Sequence, residues 1–325
     1  MRAQFLGRSV PASVLAAVAI LAAAPAVLPS FYTYLLALAL VMGLLATSLN
    51  LALGYGGIYQ FHHAVFYGVG AYTAALAITR WGWPAWAAFL AGPPAAALTG
   101  WLIGWVCVRL TRLYFGMLQI SLGSLLWVIV LRWYSFTGGD NGIHGIPLPP
   151  ILRPVENVYY LILAAVAASL AALYLIVRSP FGATLQAVRD NPQRCQVVGI
   201  DVRVHRLVAI IIAAFFAGAA GVLYVALERS VFPNMLFWVL SLEILVMCLL
   251  GGWFTFLGPM LGAAIVVTLR IIAGRYTENW TTILGIMLIL LIFFMPEGVM
   301  GHVQERMIRM RSQAPRPRPG AGPDA

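Results

Sequence analysis

At 325 residues the chain is 62% hydrophobic and only 9% charged, with a mean hydropathy of +0.91, which leaves too little polar surface to cover a water-soluble globule. Its net charge of +10 comes from Arg residues alone, scattered in short loops between apolar runs, a pattern that argues against a nucleic-acid-binding face and fits membrane topology. Cys107, Cys195 and Cys248 share no metal-ligand or redox spacing, so no metal site, cofactor or disulfide framework is implied.

Apolar runs of spanning length follow one another at 12–29, 31–53, 64–79, 84–108, 113–134, 155–177, 204–228, 235–250, 258–273 and 281–295. They predict an all-α integral membrane protein with ten transmembrane helices in a single domain over 1–300. The first run is expected to be a retained helix; a signal peptide is the alternative, because Arg2 and Arg8 precede apolar residues that end in Ala22-Ala23-Ala24. An even number of spans puts both termini on one side. With both in the cytoplasm, six Arg lie outside (Arg80, Arg132, Arg153, Arg229, Arg270 and Arg275) and fourteen inside, as the positive-inside rule requires. Trp81, Trp83, Trp133, Tyr134, Tyr159, Tyr160 and Trp280 then sit near the outer boundary as aromatic anchors. Residues 301–325, rich in Arg and Pro, are expected to form a disordered cytoplasmic tail.

In chain order, the first candidate feature is residues 54–72, where Gly54, Gly56, Gly57, Gly68 and Gly70 interrupt an apolar region as in the broken helices of transporters. Adjacent His62 and His63 would point about 100° apart on a helix and are poorly placed to share a metal; helix-end histidines are the plainer reading. The outer loop 135–154 contains Thr137, Gly138, Asn141 and Gly142, a turn-rich structure that either meets a docking protein or a substrate or reflects turn chemistry alone.

The inner loop 178–203 opens with Ser179-Pro180, an N-cap followed by Pro at the first helical position, and Asn191-Pro192 stops the helix. Phe181, Leu185 and Val188 make one apolar face, suited to a membrane surface or a partner's groove, and a second short helix is expected to Val198 with Gly199 as its stop. Glu243 lies well inside its span and must face protein or a cavity. A second Gly-rich break follows at 251–263. There is no phosphate-binding GxxxxGK[ST], HExxH or nucleophile elbow, so the chain is not read as an enzyme and ATP hydrolysis would belong to partners.

Four stretches carry a family resemblance: Leu49-Asn50-Leu51 through Gly54-Tyr55 and His63-Ala64 to Tyr72; Thr137-Gly138-Gly139 to Pro147; Phe181-Gly182 through Arg189-Asp190-Asn191 to Val202; and Ala217 to Gly221, with Ser241-Leu242-Glu243 and Gly251-Gly252 to Pro259. Together these resemble the LivM-type permease subunits of ABC importers for branched-chain amino acids. The resemblance implies a type II importer fold in the bacterial inner (plasma) membrane. Its implied partners are a second, LivH-type permease, two cytoplasmic ATP-binding subunits and an extracytoplasmic solute-binding protein.

It also implies a coupling helix in which Phe181, Leu185 and Val188 dock into an ATPase groove, with Gly182, Arg189, Asp190 and Gly199 around them. Expected pathway residues are Asn50, Tyr55, Gly57, His63, Phe66 and Glu243; expected binding-protein contacts are Thr137, Gly138 and Asn141. Ile58, Gln60 and His62 stand where the family usually carries Gln, Ser and Gly, which leaves urea, short amides and other small solutes open beside branched-chain amino acids. The alternative class is an ion-coupled secondary transporter, for which only Glu243 supplies an intramembrane charge.

Overall fold

The computed structural model describes residues 12–110, 112–274, 282–283, 285–287, 289 and 298–302. Most of the tenth span expected at 281–295 and of the tail lies outside these residues, as do Arg2, Arg8, Arg275 and Trp280. The helices run α1 (Ala12–Val27), α2 (Ser30–Asn50), α3 (His63–Thr79), α4 (Ala85–Cys107), α5 (Arg112–Arg132), α6 (Tyr134–Thr137), α7 (Val155–Arg178), α8 (Pro180–Asp190), α9 (Pro192–Val197), α10 (Val202–Glu228), α11 (Trp238–Gly251) and α12 (Gly258–Gly274). Among the described residues, five spans are long and apolar enough to cross a membrane, and four shorter apolar helices accompany them.

The spans differ sharply in how far this chain covers them. The apolar window of α2 is 78% buried and that of α10 67%, against 22% for α7 and 17% for α5. So α2 and α10 form the centre, and α5 stands at the edge. Small residues let the central helices touch backbone to backbone: a Cβ at Gly221 of α10 would overlap the carbonyl oxygen of Tyr67, and one at Gly70 of α3 would strike the backbone of Gly218. The second layer packs α2 against α7, α11 and α12.

Two loops turn back into the bundle. After Asn50 the helix widens into a π-turn over Leu51–Tyr55 and closes in a turn like a Schellman motif but one residue wider at each bond, with Gly57 N–H donating to the Leu53 carbonyl (2.9 Å) and Ile58 N–H to that of Ala52 (2.8 Å). Gly57 stands at the left-handed position, with φ of 63°, that ends such motifs. At the opposite end, a 3₁₀ turn at Pro233–Leu236 delays α11 to Trp238, three residues later than the apolar run predicts. A two-residue antiparallel ladder there pairs β1 (Ile143–His144) with β2 (Ser230–Val231), tying the 138–153 loop to the end of α10.

Candidate functional site

The segment between α7 and α10 is a series of capped helices. Ser179 Oγ accepts from Gly182 N–H at 3.4 Å, Asn191 Oδ1 from Arg194 N–H at 3.0 Å, and Asp201 Oδ1 from the N–H groups of Arg203 (2.9 Å) and Val204 (3.1 Å). The apolar face of α8 turns into the chain's own body. Leu185 and Val188 are wholly buried, Gly182 packs against the carbonyls of Ile176 and Val177, and half-buried Phe181 stacks on His205 at 5.9 Å. The expectation that Leu185 and Val188 are knobs for a partner's groove therefore does not hold: their contacts are already filled from within the chain. What the segment presents outward is Ala183, Ala187 and Asp190 on α8, then Val197 and Val198, 90% and 77% exposed, before Gly199 turns the chain at φ of 85°.

Arg189, expected at a partner's rim, reaches inward. Its Nη1 donates to the Gly54 carbonyl at 2.5 Å, its Nη2 pairs with Asp190 at 2.9 Å, and its guanidinium lies 5.4 Å from the ring of Phe254. A charged hydrogen bond of this kind contributes about 1.5–3 kcal/mol. The two Gly-rich breaks meet at this point: Asn50 Nδ2 donates to the Thr255 carbonyl at 3.1 Å, and a Cβ on Gly54 would overlap the Trp253 carbonyl oxygen. The π-turn, the α11–α12 turn and α8 are thus joined through one side chain.

Of the expected pathway residues, Asn50 and Gly57 belong to this junction, and Tyr55 is half-buried at its end. His63 is fixed: its Nδ1 lies 2.7 Å from Gln60 Oε1 and its Nε2 lies 2.9 Å from the oxygen of Ser48, whose hydroxyl donates to the Leu45 carbonyl at 2.7 Å. Ser241 of α11 accepts from the Ala64 N–H at 3.0 Å, and Phe66 lies edge-on to both histidine rings at 4.8 and 5.8 Å. His62 differs from its neighbour. It and Gln119 of α5 are buried and face one another, yet all four polar side-chain atoms fall short of hydrogen-bond geometry among the described residues. Each such buried group costs about 1–3 kcal/mol.

Beside them lies a partly open cavity of about 900 Å³, lined by Ile58, Phe61, Phe115, Met117, Gln196 and Arg206 among others. Sequence reasoning passed over Gln119, although a lone amide in an apolar span is a usable signal. Glu243 is buried, with Arg270 of α12 at 3.6 Å. Near the far end, Tyr34 donates to Glu228, a contact the sequence reading did not raise. Of the expected docking residues only Asn141 is exposed. Thr137 is buried, its hydroxyl against the Val130 (2.6 Å) and Trp133 (2.8 Å) carbonyls, and Gly138 with φ of 81° makes the turn that follows.

Broken helices buried at a glycine-rich junction, inside a bundle of apolar spans, define a multi-pass α-helical membrane permease. Residues 31–294 match the family described as branched-chain amino acid transport system / permease component. The chain is 27% identical over 290 residues to the high-affinity branched-chain amino acid transport system permease protein LivM of Escherichia coli K12, covering 81% of this chain and 68% of that protein. It is 26% identical over 298 residues to LivM of Salmonella typhimurium LT2, covering 83% and 70%. A more distant likeness, 27% over 248 residues and covering 70% and 67%, is to the autoinducer 2 import system permease protein LsrC of Escherichia coli K12 DH10B. No solved structure matches. The chain belongs to the branched-chain amino acid transport permease family, as an ABC transporter subunit and not an enzyme.

Proposed function

We propose that this chain is the membrane-spanning subunit of an ATP-driven importer in a bacterial inner membrane, carrying branched-chain or related small amino acids handed over by an extracytoplasmic binding protein. The fold is that of a type II importer with ten spans and both ends cytoplasmic. A second permease completes the pathway and two ATP-binding subunits drive it. Both sets of relatives are named as permease proteins: the LivM name includes branched-chain amino acid transport, which supports the substrate class, and the LsrC name includes import, which supports the direction.

The observation that carries the mechanism is the Arg189 bond to the Gly54 carbonyl. ATP binding in the partners displaces the α8–α9 segment through Val197, Val198, Ala187 and Asp190. Arg189 passes that displacement to the π-turn and, through Asn50 and Thr255, to the α11–α12 turn, so that helices around both breaks rock together. Phe181, Gly182, Leu185 and Val188 seat α8 so that it moves as part of the bundle. Asn141 contributes to the binding-protein contact at the far end, and Thr137 and Gly138 hold its shape.

Arg189→Ala in the reconstituted transporter should leave assembly and ATP hydrolysis in place while uptake falls at least tenfold. Uptake at the wild-type rate in that variant would remove the lever from the mechanism.

A further inference from the structure

Resting on the permease reading above, we propose that solute passes between α5 and the 57–62 loop, and that His62 and Gln119 hydrogen-bond the polar end of a zwitterionic aliphatic amino acid as it passes. Three observations converge. His62 and Gln119 are buried, 1% and 0% exposed, and face one another, yet none of their polar side-chain atoms reaches full hydrogen-bond geometry among the described residues, whereas the adjacent His63 has Gln60 and Ser48. Native interiors seldom keep such a pair unless water or a solute visits it.

Neither residue lines the cavity, but their chain neighbours Phe61 and Ile120 do, and Phe61 meets Gly116 at its wall. A Cβ on Gly116 would sit 3.4 Å from the Phe61 ring, and one on Gly123 would sit 3.0 Å from the His62 Cβ. Because two of the α5 positions that meet this loop are glycines, few α5 side chains besides Gln119 stand between the two surfaces. The window of α5 is also the least buried of the five long spans.

The chemistry of the lining selects the ligand. An imidazole and an amide each donate and accept, which matches a solute bearing both ammonium and carboxylate. Ile58, Phe115, Met117 and Ile120 offer the surface an aliphatic side chain needs. A purely apolar solute would leave the pair unmatched.

The test uses the whole transporter in proteoliposomes with tritiated leucine as the probe. His62→Phe and Gln119→Leu should each lower uptake at least tenfold with ATP hydrolysis within twofold of wild type, while His62→Gln, which keeps a donor and an acceptor, should stay within threefold. Undiminished uptake in both apolar variants overturns the proposal. Gln119→Cys separates loss of site from loss of fold: a small charged thiol reagent should label it during ATP turnover, at least fivefold faster than with ATP withheld, and leucine should protect it. Labelling at no stage of turnover overturns the proposal equally. Should wild type carry a different solute, the substrate reading fails, and turnover-dependent labelling of Gln119→Cys still decides whether the route runs past α5.

Discussion

Val197 and Val198 project outward from the α8–α9 segment, and in the proposed importer an ATP-binding subunit would cover this apolar pair. Val198→Asp should therefore reduce co-purification of the ATP-binding subunits at least tenfold with the permease's melting temperature unchanged. Leu185→Asp would instead place a carboxylate in a wholly buried position and unseat the helix. The sequence marks Ser179, Asn191 and Asp201 as caps because the cap chemistry is local. It does not say which body covers an amphipathic face, because periodicity records that a face is apolar and nothing about whose atoms meet it. The same limit separates His62 from His63: adjacent letters, one bound on both nitrogens and one on neither.

Helix by helix, the five long spans and the four shorter apolar helices of the described residues fall within a few residues of the apolar runs, because an apolar run of this length is read directly from composition. The breaks were visible as glycines, yet the π-turn at Leu51–Tyr55 and the delayed start of α11 were not. Both are set by tertiary partners: the Trp253 carbonyl packed on Gly54, and Leu236 packed on Gly68. The β1–β2 ladder has two residues per strand, too few for an alternating pattern to register. Close approach of α3 and α10 gives a sharper expectation. Gly221→Ala should lower stability by about 1–3 kcal/mol through overlap with Tyr67, measured as thermal unfolding in detergent. Gly274→Ala, which meets nothing within 4 Å, serves as the neutral control.

Across the whole chain, the orientation proposed above, with α8 and α9 on the cytoplasmic side, rests on the positive-inside balance of the sequence. Glu243, the residue that favoured an ion-coupled carrier, has a cation of this chain beside it, Arg270 at 3.6 Å, although its Oε2 makes no hydrogen bond among the described residues. Uptake should accordingly persist when a protonophore collapses the proton gradient at constant ATP and stop when ATP is removed; the reverse pattern would restore the secondary-transporter reading.

The uneven fastening of α5 has one more consequence. Its far end is secured by the Thr137 bonds, by Trp127 against Phe237 at 4.7 Å, by Arg80 donating to the Ser135 carbonyl at 3.1 Å and by the ribbon that follows, whereas its near end rests on Phe61 through a glycine. A flap pinned along its upper edge opens at its lower one. In the orientation proposed above the looser edge is the inner one, so the hinge would set where the chain opens, while the direction of net transport would come from nucleotide hydrolysis in the partners, because a passive hinge passes solute equally both ways.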